Sequence, residues 1–183
     1  NAQKLTLDTE TSELIDIEIF KNEILLLKKF IEYIKKLDPE LIIGWNVIGF
    51  DLRFLFERCE KFNLPFNIGK KNQNVKTFMN ARNDWVIDIP GRVIIDGPFT
   101  LKTNFFSFES YKLNEVAKIV LNETKDIDED EVFDKWSEIE RRFKEDKHSL
   151  AVYNLKDDEL VIKIFEKTKL IELLYNHSMS SRM

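Results

Sequence analysis

Cysteine occurs once, at Cys59, so no internal disulfide can staple this fold, and the chain suits a reducing compartment. Glycine and proline are scarce, five and four, which excludes long disordered linkers. No apolar run approaches the roughly 20 residues of a membrane span and no secretory leader is visible, so no membrane partner is expected. Positive charge is also short: 28 Lys and Arg face 33 Asp and Glu, a net charge of −5. A domain that grips polyanions over a broad surface needs clustered cations, and that class is excluded. An enzyme whose site is built of carboxylates and metal ions is not, because such a site is acidic until the metals arrive. The first residue is Asn1 rather than Met, as expected of a processed chain, an expressed segment or a piece of something larger.

What remains builds a core. Apolar residues make up 43% of the 183, with 15 Phe among them, enough for one α/β domain spanning 1–183. Residues 4–7 alternate and predict a strand leading to Asp8-Thr9-Glu10-Thr11, and residues 14–20 alternate more clearly. Ile24, Leu27, Phe30, Ile31, Ile34 and Leu37 fall at helical spacing, stopped near Asp38-Pro39. A strand at 41–43 follows, then a helix over 52–62 closed by Asn63 and Pro65. Residues 67–84 read as a loop or extended excursion, and strands at 85–87 and 92–96 flank a turn at Pro90-Gly91. A helix runs over 110–121, an acidic loop over 126–134 and a helix over 136–143. Last comes a long helix, capped by Ser149 or Asp146 and carrying Leu150, Tyr153, Leu155, Leu160, Ile164 and Leu170. The basic pairs Lys28-Lys29, Lys35-Lys36, Lys70-Lys71 and Arg141-Arg142 alternate with acids, the pattern of solvated helix faces. Strand and helix in alternation argue an α/β fold.

Two places could carry chemistry. The run Leu41-Ile42-Ile43-Gly44-Trp45-Asn46 ends a buried strand and delivers Asn46, Phe50 and Asp51 beyond it, where open α/β sheets build their sites. Read locally, the better account of Asp51 is a residue favoured at a helix start by capping and the dipole. In the last helix Tyr153 and Asp157 stand one turn apart on one face, and Asp158 beside them reads as simply exposed. Taken alone, Tyr153 is a half-buried amphipathic residue with a wet hydroxyl. Asp96 ends a strand as an acid, and its expected role is structural, capping the turn at Gly97-Pro98.

Together, Asn46-x-x-x-Phe50-Asp51 and Tyr153-x-x-x-Asp157 resemble the second and third proofreading motifs of the family B DNA polymerases. Asp38-Pro39-Glu40-Leu41-Ile42-Ile43-Gly44-Trp45-Asn46, Gly91-Arg92-Val93-Ile94-Ile95-Asp96-Gly97, Arg141-Arg142-Phe143-Lys144-Glu145-Asp146-Lys147 and Tyr153-Asn154-Leu155-Lys156-Asp157 are similar to the bacterial DNA polymerase II branch, in the right order over 23–174. The resemblance implies a 3′→5′ exonuclease domain of ribonuclease-H-like fold, a mixed central sheet flanked by helices. It implies two divalent ions, Mg²⁺ or Mn²⁺, which as hard cations want oxygen ligands. Asp157 is then a direct ligand and Asp51 serves the second ion. Tyr153 orients the attacking water, Asn46 places the strand, and Phe50 and Trp45 pack beneath the site or contact bases, packing being preferred. The implied partners are a single-stranded DNA 3′ end and the polymerase part of a parent chain, and the implied location is the bacterial cytoplasm.

The first motif of that family, Asp-x-Glu, leaves two readings open. Asp8 and Glu10 fit the pattern as further catalytic and metal-binding acids. Alternatively residues 1–13 are linker, with the N-terminal strands and the true motif missing. Beside the exonuclease stand two other hypotheses. One is an inactive exonuclease-like module with a scaffold or single-strand-binding role, and the other is a free-standing nuclease acting on RNA or oligonucleotides.

Overall fold

The computed structural model describes residues 3–8, 14–122 and 135–180, and the chain divides into two compact units, Asn1–Phe99 and Thr100–Met183. The architecture is mixed α/β. The first unit opens with strands β1 (Gln3–Asp8) and β2 (Leu14–Ile19), which pair antiparallel from Gln3 opposite Ile19 to Asp8 opposite Leu14. Residues 3–8 are thus strand. Helix α1 (Glu23–Leu37) starts on Asn22, whose side chain accepts the Leu25 N–H, and ends where Asp38 turns left-handed ahead of Pro39. Its 3.6-residue period delivers Leu27 and Ile31 to the core.

Strand β3 (Leu41–Gly44) leads into a single π-helical turn (Ile48–Leu52) and then α2 (Arg53–Lys61), which buries Cys59. The stretch 67–84 holds more than a loop. A short 3₁₀ turn (Lys70–Asn72) precedes β4 (Lys76–Met79), which pairs antiparallel with β5 (Trp85–Asp88). Asn80 makes the hairpin tip: its side-chain oxygen accepts the N–H groups of Arg82 and Asp84, an Asx-type turn that the polar composition of 80–84 disguised as a loop. Strand β6 (Val93–Asp96) runs parallel to β3, Leu41 beside Val93 and Gly44 beside Asp96. The described strands form three two-stranded sheets rather than one continuous central sheet. With its one described neighbour, β6, β3 is half-buried rather than fully buried. The core of this unit gathers Leu27, Ile31, Leu52, Cys59, Ile68 and Ile89.

Helix α3 (Gly97–Thr103) occupies a stretch that the sequence marked only as a turn. The second unit carries α4 (Leu113–Leu121), α5 (Lys135–Glu145), α6 (Lys147–Thr168) and α7 (Leu170–Ser180), with α4, α5 and α7 each packed on α6. Asp146 is the cap of α6, accepting the Ser149 N–H, so of the two candidate caps the acid serves. The long final helix breaks at Lys169, which turns left-handed, and α7 continues beyond it. Val116, Ala117, Val161, Ile164, Phe165 and Leu170 are buried. The acidic 126–134 stretch lies outside the described residues. No described helix is long and apolar enough to cross a membrane.

Two basic pairs depart from the solvated reading. Lys35 donates to the Asn67 side chain, and Lys70 bonds both the carbonyl and the carboxylate of Asp38. Buried Arg92 completes that knot, donating to the Ile68 and Pro39 carbonyls and lying 3.0 Å from Asp38. It joins the end of α1 to the start of β6. Lys70, then Arg92, hold the Asp38 carboxyl below the usual aspartate range. A depressed folded value contributes stability above the unfolded pKa, about 3.9, and loses it as pH falls through the folded value. Asp38→Asn should therefore lower the melting temperature at pH 7. The gap to the parent should close only below about pH 4, as thermal melts across pH will show.

Candidate active site

The exit of β3 is built by close approach. A side chain at Gly44 would place its Cβ 2.7 Å from the Val47 Cβ, so only glycine lets the chain fold back so tightly. Asn46 then adopts the left-handed conformation, φ 60°, tolerable for asparagine, and its carbonyl accepts the Phe50 N–H. The Leu52 N–H reaches the Val47 carbonyl at 2.9 Å, the longer loop that defines the π turn. Asp51 thus lies inside a π turn, not in the first turn of an α-helix. Π turns inside helices are frequent at functional sites.

Asp96 fixes this turn. Its side chain, 7% exposed at the end of β6, accepts the Ile48 N–H at 3.1 Å. That corrects the expected capping of Gly97-Pro98: the acid caps the turn opposite, across the β3–β6 pair. Sequence reasoning marked a strand-end acid here but could not see which amide it served. On the turn so held, Asn46, Phe50 and Asp51 are all exposed. Phe50, at 61% exposed, does not pack beneath the site, and Trp45 is half-buried. Two residues on, Arg53 is paired with Glu57 at 2.8 Å and lies over the Trp85 ring. A forked Glu23–Arg58 ion pair ties the start of α1 to α2, with the Arg58 guanidinium holding the Glu23 carboxyl below its usual range.

In the second unit Tyr153 and Asp157 lie one turn apart on α6, both half-buried. Asp158 is exposed, yet partial burial pushes its carboxyl above the usual aspartate range. Asp8 is the last residue of β1, and Glu10 lies outside the described residues. Within either unit, no three Asp, Glu, His or Cys side chains of described residues gather as a set able to hold a metal ion. The donor chemistry nonetheless fits a hard divalent cation, since the candidate ligands are all carboxylates.

The turn should be sensitive to its anchor. Asp96→Ala leaves the Ile48 amide without its acceptor and should cost about 1–3 kcal/mol, whereas Asp96→Asn keeps an acceptor oxygen and should cost less. Chemical denaturation of the two variants measures the difference. Gly44→Ala should be destabilised by about 1–3 kcal/mol as well, through the Val47 clash.

The family model for the exonuclease domain of DNA polymerase family B matches residues 1–116. DNA polymerase II of Escherichia coli (strain K12) is 43% identical over 151 residues, covering 81% of this chain and 19% of its own length. The DNA polymerase delta catalytic subunit of Caenorhabditis elegans is 29% identical over 157 residues, covering 80% of this chain and 14% of its own length. A DNA polymerase of Thermococcus litoralis is 28% identical over 143 residues, 77% of this chain and 8% of its own length. The chain thus spans a fifth or less of these relatives.

Proposed function

The chain belongs to the exonuclease domain family of the family B DNA polymerases, and on that premise we propose that it removes nucleotides from single-stranded DNA 3′ ends as a proofreading hydrolase. The observation that carries the reading is the strand-end turn: Gly44, Val47 and Asp96 present Asn46, Phe50 and Asp51 together, in the order the family's second motif requires. Tyr153 and Asp157 on one face of α6 supply the third.

Asp51 and Asp157, with Asp8 and Glu10, are the carboxylates that would hold two divalent ions, Mg²⁺ or Mn²⁺. When bound, such ions would supply an activated water and stabilisation of the departing 3′ oxygen. The hydroxyl of half-buried Tyr153, one turn before Asp157 on α6, orients the water. Asn46 and exposed Phe50 receive the DNA strand, the phenyl ring offering its face to a base. The fold in this reading is ribonuclease-H-like, and the whole chain acts as one exonuclease domain. Its partners are the 3′ end of a single strand and the polymerase part of a longer chain, in the cytoplasm of a bacterium.

Release of nucleotides from a labelled single strand in Mg²⁺ tests this. Asp51→Ala and Asp157→Ala should each nearly abolish release. Tyr153→Phe should keep Mn²⁺ binding while slowing release by roughly a hundredfold. Undiminished degradation by the Asp157→Ala protein sinks the assignment. Absence of Mn²⁺ uptake by the parent chain turns it toward the inactive, scaffolding module.

A further inference from the structure

Phe105 is the most exposed large apolar side chain among the described residues, at 93%. It is also held at φ 66°, the left-handed region that a bulky residue avoids and glycine normally fills. The position is forced by the end of α3. The Phe106 N–H reaches back to the Leu101 carbonyl at 3.1 Å and Asn104 bonds the Thr100 carbonyl through both its amide and its side chain. This is a Schellman-type ending, whose left-handed residue is Phe105. A glycine here would cost the helix end nothing, so the phenyl ring stands in strain with no packing in return.

The loop beneath it is firm. Tyr111 donates its hydroxyl to the Phe106 carbonyl at 2.7 Å and meets Phe108 edge-on at 5.5 Å, while Phe106 and Phe108 stack. Phe106, Phe108 and Tyr111 are half-buried, so the loop has an aromatic base of its own and does not use Phe105 to hold it. The Lys102 ammonium sits 4.5 Å over the Tyr111 ring, and Lys102 and Lys112 are both exposed beside the loop. An exposed, pre-set aromatic face with lysines next to it is the composition that takes a nucleobase on the ring and phosphates on the cations.

We infer that Phe105 is a base-stacking residue for single-stranded DNA, a contact outside the Asp51 and Asp157 motifs. The inference rests on the nuclease reading for its ligand, and strain accepted at a fully exposed ring is the observation that adds to it. A single strand fits because stacking tolerates any base while a duplex hides its base faces.

The test uses the 183-residue chain and an oligothymidylate carrying 2-aminopurine, whose fluorescence drops when it stacks, in EDTA so that no strand is cut. Phe105→Ala and Phe105→Gly should each weaken binding about tenfold and lose the quenching, while Phe105→Trp keeps both. Phe105→Gly should also melt about 2–4 °C higher, because strain leaves with the side chain, which shows that its weaker binding is not unfolding. Unchanged affinity in the Ala and Gly variants, in a chain that still releases nucleotides from 3′ ends, overturns the stacking role, leaves the nuclease reading standing and turns Phe105 toward a protein contact. Equal loss in Phe105→Trp overturns it too. A parent chain that neither binds nor degrades single strands removes the nuclease reading and this inference with it.

Discussion

The bond from the Ile48 amide to the buried Asp96 carboxylate is where the candidate site meets the fold. It is charge-assisted, and it places a negative group at the start of a helical turn, where the dipole favours one. The parallel register that sets Gly44 beside Asp96 makes it possible, and glycine at 44 lets Val47 come close enough to start the turn. Asp51 is presented only because these three conditions hold at once. The Arg92 knot, which ties the approaches of both strands together through Asp38, Pro39 and Ile68, secures that register from the other end.

Polar residues thus do two separate jobs. Asp96, Arg92 and Thr168 are buried and fully engaged, fixing backbone where strands and helices end. Asn46, Asp51 and Phe50 are exposed on a scaffold that holds their backbone still. The left-handed residues divide the same way. Asp38, Asn122 and Lys169 follow the ends of helices, a common place for that conformation, whereas Phe105 follows one with a bulky ring that the fold does not otherwise use.

Legibility in the sequence followed the range of the forces involved. Helix α1 was readable because its apolar spacing and the proline after Asp38 are local signals that agree. Strands β5 and β6 were readable from apolar runs around Pro90-Gly91. The hairpin strand β4 was not, because Lys76, Phe78 and Met79 are exposed and carry no burial pattern. The break between α6 and α7 escaped because Lys169 is no helix breaker by propensity, although it turns left-handed between buried Thr168 and Leu170.

By itself the sequence determined the mixed α/β character, most of the helices, and the likeness that places the chain among the exonuclease domains of family B DNA polymerases. Composition, period and motif order are properties of the chain and need no partner in space. The tertiary structure alone decided that Asp96 serves Ile48, that Asp51 rides a π turn, that Phe50 faces solvent, and that Lys70 and Arg92 clamp Asp38. Each of these joins residues that sequence separates widely, sets how deeply a side chain is buried, or, for the π turn, is held by a bond from a distant strand. Both are fixed only when distant segments pack and the amides and carboxylates at their ends must find one another.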